Sequence, residues 1–190
     1  MRIKYNAPVV LTFAIVCAIV LLLSQTIVPN LTLNWFMVPG KSFFSITNIR
    51  NIITILTHVI GHAHWAHLIS NFTLILVIGP MLEENYGSKQ LLIMIAITAV
   101  VTGILNVLLF NSALLGASGV VFMMILLSSF TNFSKGEIPL TFILVMILYM
   151  GVQIIESFNN DNISQFAHIV GGLVGSFFGF FNQPKLRARR

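Results

Sequence analysis

Six apolar runs, separated by short polar breaks, leave this chain few ways to fold; they cover about residues 8–28, 58–82, 91–110, 116–130, 138–155 and 165–181. A helix needs roughly 20 apolar residues to cross a bilayer, because every backbone N–H and C=O must find its partner within the segment. The runs meet or approach that length, so helices are predicted rather than the strands of a membrane barrel. Several are short, as suits helices that tilt or are shielded by neighbours. Composition points the same way: the chain is 57% hydrophobic and 8% charged, with mean hydropathy +0.95. No soluble domain of 190 residues covers so much apolar surface with so few charges. The expectation is an all-α polytopic membrane protein of six transmembrane helices, one membrane domain over residues 1–190.

The basic start Met1-Arg2-Ile3-Lys4 and the run behind it resemble a signal peptide. The run is too long for a signal peptide's apolar core and lacks a convincing cleavage site, so it is expected to be retained as the first span. Residues 29–57 are too rich in aromatic and aliphatic side chains, Trp35, Phe36, Phe43, Phe44, Ile52 and Ile53 among them, to be a free linker. A loop half-sunk in the membrane interface fits, with Trp35 at headgroup level. Cys17 is the single cysteine, so neither a disulfide framework nor a cysteine metal motif is available.

The net charge of +5 suggests nucleic acid until the basic residues are located. They lie at membrane edges, and no nucleic-acid partner is expected. With both termini inside, the inner segments carry Arg2, Lys4, Lys89, Lys135, Lys185, Arg187, Arg189 and Arg190, and the outer ones only Lys41 and Arg50. That asymmetry orients an even number of spans with cytoplasmic termini, and the terminal cluster is suited to touching anionic lipid.

Three of the spans then enter from the outer face, and each brings polar groups to a similar depth. Ser118 is the third residue of its run and His168 the fourth of its own, roughly 5 Å below the helix mouth at about 1.5 Å per residue. His67 and Asn71 lie somewhat further along theirs, four residues apart and therefore on one helix face. Polar groups in spans are costly and face an interior or a water-filled cavity. A serine hydroxyl becomes nucleophilic when a neutral imidazole takes its proton, so Ser118 and His168 form a candidate dyad for acyl transfer. His67 and Asn71, with the Ser118 backbone N–H, are candidate oxyanion donors. No acidic residue stands inside the fourth or sixth run to complete a triad. Gly171, Gly175 and Gly179 recur on the sixth run, and Gly116 and Gly119 flank Ser118. Small residues of this kind let two membrane helices approach closely.

Taken with their order and spacing, these residues make the chain resemble the rhomboid intramembrane serine proteases, in the small six-span form common in bacteria. "HVIGHAHWAHLISN" (His58 to Asn71) is similar to the family's second-span signature, "GASGVVF" to its nucleophile motif and "AHIVGGLVG" to its sixth-span motif. "GPMLEENYGS" (Gly79 to Ser88) matches the turn after the second span. The resemblance covers about residues 56–181. It implies Ser118 as nucleophile, His168 as general base, His67 and Asn71 as oxyanion donors, and Glu83 as a structural tie at the inner turn. It also implies hydrolysis of peptide bonds in or beside transmembrane helices of membrane-protein substrates, reached between the second and fifth spans. Two departures stand out. Phe122 replaces a tyrosine that stacks on the catalytic histidine in many members, and the Trp-Arg pair of the first outer loop is not evident, Trp35 being followed by Phe36.

The histidines at 58, 62, 64 and 67 have no carboxylate or thiolate nearby to complete a zinc site, so no metal and no cofactor is expected. His64 reads as an interfacial bystander, Trp65 as an interface anchor, and His58 and His62 as hydrogen-bonding to loop backbone. Two rival functions remain: an inactive relative that binds transmembrane clients, and a small transporter with a histidine proton relay. Retention of both Ser118 and His168 disfavours the first. The lack of paired repeats or a mid-span acid disfavours the second.

Overall fold

The computed structural model describes residues 4–130, 138, 140–151 and 162–182, with backbone alone at 149, 150 and 162–164. Helix α1 is Pro8–Thr26, and the segment expected on the outer face (the outer segment), with two short helices, α2 (Leu31–Trp35) and α3 (Ile49–Thr57), follows it. Then come α4 (Trp65–Tyr86), α5 (Ser88–Leu109), α6 (Ser118–Ser128), α7 (Leu140–Val145, continuing into a π-helical turn at Met146–Met150) and α8 (Asn162–Phe181). Among the described residues the one β-type pairing is an isolated antiparallel bridge, Val38 to Leu114. Three helices, α1, α4 and α5, are long and apolar enough to cross a membrane, while α6 and the 165–181 part of α8 are shorter apolar helices. The inner turn at 131–137, Glu156, Asp161 and the basic tail lie outside the described residues.

Helix α6 is the centre of the bundle. Every residue from Gly119 to Leu127 is buried, as expected of a helix apolar on all sides. Its closest partner is α8. A Cβ added at Gly171 would run into the Gly119 carbonyl, one at Gly175 into the Met123 carbonyl, and one at Gly179 into the Phe130 ring. Gly119 in turn meets the Ala167 carbonyl at 3.3 Å from its would-be Cβ. The two backbones are therefore in direct contact over two turns. Met123 and Met124 are buried in this packing and Phe178 with them, whereas Phe177 is exposed.

At the opposite end of the bundle, Glu83 joins three elements. Helix α1 opens on Pro8, whose missing N–H costs nothing at that position, and its N-cap, Ala7, offers no side-chain acceptor. Glu83, buried on α4, supplies one: its carboxylate accepts from Val9 N and Val10 N, each at 3.0 Å. Ser88 Oγ at the start of α5 donates to the same group at 2.7 Å. A carboxylate on a helix N-terminus is favoured by both the orphan N–H groups and the dipole. The expected turn at 83–88 is consequently much shorter. Helix α4 runs on to Tyr86, and the chain reverses at Gly87, whose φ of 88° suits glycine.

The outer segment is folded rather than a plain loop. Asn48 caps α3 by accepting from Arg50 N at 3.1 Å, and α3 packs on α5 where Gly103 leaves room for the Ile55 carbonyl. The Arg50 guanidinium lies over the Trp35 ring, 4.9 Å from its centroid. A Trp-Arg contact is thus made across fifteen residues, from α2 to α3, although the two are not adjacent in the sequence. Thr57 Oγ1 donates to the Trp35 carbonyl at 2.7 Å and closes the same unit.

Replacing Glu83 by Ala leaves two α1 N–H groups and the half-buried Ser88 hydroxyl without their shared acceptor. The expected loss is about 3 kcal/mol or more of stability, hydrogen bonds to charged groups being worth roughly 1.5–3 kcal/mol each. Thermal unfolding in detergent should show a midpoint several degrees lower, and an unchanged midpoint would remove Glu83 as the tie between α1, α4 and α5.

Candidate active site

Helix α4 begins at Trp65, not at His58. The histidines ahead of it are not helical; they build the mouth of the bundle. His64 is the α4 N-cap, its Nδ1 accepting from His67 N at 3.1 Å, which makes it a structural residue instead of a bystander. His58 caps α3. Its ring Nε2 lies 3.0 Å from the Ala99 carbonyl of α5, a contact that requires a proton on that nitrogen. Its own carbonyl accepts from Gly61 N at 3.2 Å and Gly116 N at 3.0 Å. His62 Nδ1 lies 3.1 Å from the Ile60 carbonyl and carries its proton for the same reason.

The start at Trp65 places His67 in the first turn of α4 and Asn71 one turn further on the same face. Ser118 is the first residue of α6, after the non-helical pair Gly116-Ala117. Gly116 has φ of 116°, a conformation closed to most L-residues, and a Cβ there would lie 2.6 Å from both Cε1 and Nε2 of His67. This glycine therefore serves to seat the His67 ring and takes no part in the α6–α8 contact; of the two glycines flanking Ser118, only Gly119 belongs to that seam. His168 stands on α8 just above the Gly171–Gly119 contact. Its ring stacks on Phe122, with centroids 4.3 Å apart and planes 6° apart. Phe122 is one turn below Ser118, so the stack holds the imidazole against the helix that carries the serine. The tyrosine hydroxyl is absent, but the aromatic face does the positioning.

Ser118, His168, His67 and Asn71 all line one cavity of about 500 Å³. Four residues singled out from the sequence on three separate runs are thereby brought together. Ser118 and His168 are half-buried. Asn71 is buried, and its Nδ2 donates to the His67 carbonyl at 3.2 Å. The first-turn N–H groups of α6 have no intrahelical acceptor and sit at the positive end of its dipole. The same wall includes residues that sequence reasoning missed. Ser70 and Leu74 share the His67–Asn71 face at i+3 and i+7, and Val121 follows Ser118 by three. Helical periodicity could have found these. Ala113, Leu114 and Leu115 complete the lining from a loop, where no periodicity exists to read. Among the described residues no group of three or more metal-ligating side chains is assembled.

A family model described as "Rhomboid domain" matches residues 50–185. The chain belongs to the rhomboid family. The match begins inside α3 and takes in the site with every helix from α4 to α8. Among curated proteins, Rhomboid protease GlpG of Haemophilus influenzae is 25% identical over 135 residues, covering 70% of each chain. Rhomboid-like protein 11, chloroplastic, of Arabidopsis thaliana is 24% identical over 159 residues, 75% of this chain and 57% of that one.

The two histidines behind the site give the folded state a pH dependence. Burial pushes His58 from 6.5 down to about 4, against the pull of its bond to the Ala99 carbonyl. Burial first, and then the proximity of His67, push His62 down to about 4 as well. A depressed histidine pKa means that the unfolded chain binds the extra proton first. Stability is therefore full above about 6.5 and falls as the pH drops toward 4, by about 1.4 kcal/mol per pH unit for each histidine. Thermal midpoints measured from pH 7.5 to 4.5 should fall steadily, and less steeply in His58→Gln. A flat profile in the wild type would contradict the neutral, buried state of both rings.

Proposed function

We propose that this rhomboid-family chain is an intramembrane serine endopeptidase working through a Ser118–His168 dyad. The observation that carries the reading is the single cavity shared by Ser118, His168, His67 and Asn71. Ser118 Oγ attacks the substrate carbonyl carbon while His168 takes the hydroxyl proton. The resulting oxyanion is held by the His67 ring, the Asn71 amide and the N–H groups opening α6. Collapse breaks the C–N bond, with His168 returning the proton to the departing amine. Water then attacks the acyl-enzyme by the same route and releases Ser118. No cofactor or metal is needed for these steps.

The substrates are transmembrane segments of membrane proteins, in line with membership of the rhomboid family and with the apolar helices of the bundle. We place the chain in a bacterial cell membrane as one six-span domain over residues 1–190, its termini cytoplasmic, following the distribution of basic residues. The apolar side chains exposed on the outer segment, Phe43, Ile46 and Ile49 among them, suit it to the membrane interface.

Fluorophosphonate labelling of the folded protein in detergent should be strong for wild type and absent for Ser118→Ala. Asn71→Ala should keep its fold and lose about 10²–10³ in kcat, the usual cost of one oxyanion donor. An active-looking fold that neither labels nor cuts any transmembrane segment would instead mark an inactive, client-binding relative. A paired helical backbone cannot be attacked until it unwinds, its polar groups being bonded to one another. Substrates with Gly, Ser, Ala or Pro near the cut should therefore be preferred, and equal cleavage of stiff polyleucine helices would refute that preference.

A further inference from the structure

His62 is fully buried, and no step of the mechanism above uses it. One ring nitrogen is accounted for: Nδ1 donates to the Ile60 carbonyl at 3.1 Å. That bond fixes the tautomer, so Nε2 carries the lone pair, and this atom is buried without a hydrogen-bond partner. An orphaned polar atom in a buried setting calls for a donor. Two rings pack against His62. Phe72 is one, with centroids 5.8 Å apart, and it offers no hydrogen-bonding atom. The other is His67, meeting His62 edge to face with centroids 5.0 Å apart and planes at 65°.

The orientation of His67 gives this contact its consequence. Its Cε1 and Nε2 atoms lie against Gly116, two residues before Ser118. To donate to an oxyanion, His67 must carry its proton on Nε2. Its Nδ1 is then an acceptor, like His62 Nε2, and two acceptors are joined by one water donating a hydrogen to each. On the proteolytic reading of the site, we propose that His62 is a positioning residue that sets the tautomer of His67, a buried water linking His62 Nε2 to His67 Nδ1 and keeping the remaining proton on Nε2, aimed at the oxyanion. Such second-layer control of which histidine nitrogen carries the proton is a general device. At neutral pH His62 is uncharged, so its lone pair is available throughout the working range.

Two variants separate this role from simple packing. His62→Asn keeps an amide near Nδ1 for the Ile60 carbonyl and removes the distal acceptor. His62→Gln reaches the Nε2 position with an amide oxygen and gives up the bond to Ile60. The expected result is that Asn lowers kcat at least tenfold with KM little changed, a fraction of the loss of a whole oxyanion donor. Gln should retain most of the activity although it is the less stable of the two. Equal activity of His62→Asn and wild type, or activity that merely tracks the thermal midpoint in both variants, would overturn the proposal. A direct measurement does not depend on how the variants fold. Nitrogen-15 spectra of histidine-labelled wild type, with His67 assigned by its loss in His67→Asn, should show the Nε2–H tautomer, and an Nδ1–H tautomer overturns it. Wild type inert to both fluorophosphonate and substrate overturns the proteolytic reading and this role together. Active wild type with an unaffected His62→Asn overturns this role alone.

Discussion

The direct backbone contact between α6 and α8 is the constraint on which the rest of the structure depends. Between helices in lipid there is little hydrophobic gain from association, so attraction comes from van der Waals packing at short range. Gly119, Gly171, Gly175 and Gly179 supply that range by leaving no Cβ of their own at these contacts. The geometry of the proposed site follows from the contact. Ser118 tops α6 one residue before Gly119, and His168 stands on α8 one turn before Gly171–Gly172. Any side chain inserted at the seam would separate the hydroxyl from the imidazole, because interiors this closely packed do not absorb added atoms. The Phe122–His168 stack uses the same proximity to fix the ring's plane.

Around this seam the molecule holds its polar groups by tying loops to helices at both ends. At one end Glu83 gathers α1, α4 and α5. At the other, His58 grips α5 by its ring and the Gly116 N–H by its carbonyl, which sets the approach of the chain to Ser118. Asn106 adds to this by donating to the Ser112 carbonyl at 3.0 Å, and the Val38–Leu114 bridge pins the same loop to the outer segment. A half-buried serine in an apolar bundle has little solvent around it to fix its geometry, so the geometry rests on these bonds.

The chain's order of polar residues was enough to choose Ser118, His168, His67 and Asn71, because depth along a helix is a simple function of residue count. The α6–α8 seam was legible too, since glycines every four residues leave a stripe without side chains. What could not be read were the events at helix ends. Nothing in the hydropathy of residues 58–64 shows that their histidines fold as caps and turns, since apolar residues between them continue the run. Gly116 and Gly119 look alike in sequence, yet one makes room for His67 and the other for α8; only φ and the neighbouring element distinguish them. The Arg50–Trp35 contact escaped for a similar reason, being made across a turn between two short helices. Glu83 was recognised as structural, but its reach to Val9 and Val10 depends on where α1 crosses α4, at the close approach of Val10 to Gly79.

The later start of α4 also changes what kind of site this is. With α4 beginning at Trp65 and α6 at Ser118, two helices open at the cavity, each with the positive end of its dipole there. His67 lies within the first turn of one and Ser118 begins the other. Had α4 begun at His58, its N-terminus would stand about three and a half turns above Asn71 instead of about one and a half, and its field would fade before reaching the reacting atoms. A cavity with no lysine or arginine on its wall is thus furnished with fixed positive potential by helix ends. Negative charge that develops during acyl transfer meets dipoles already in place, with no reorganisation to be made at the moment of reaction. In a low-dielectric surrounding this arrangement is more effective than a mobile cation would be, since a buried cation must first be desolvated. The apolar bundle and the chemistry proposed for it are therefore compatible for one reason: the charges the reaction needs are partial ones, and helix ends supply them.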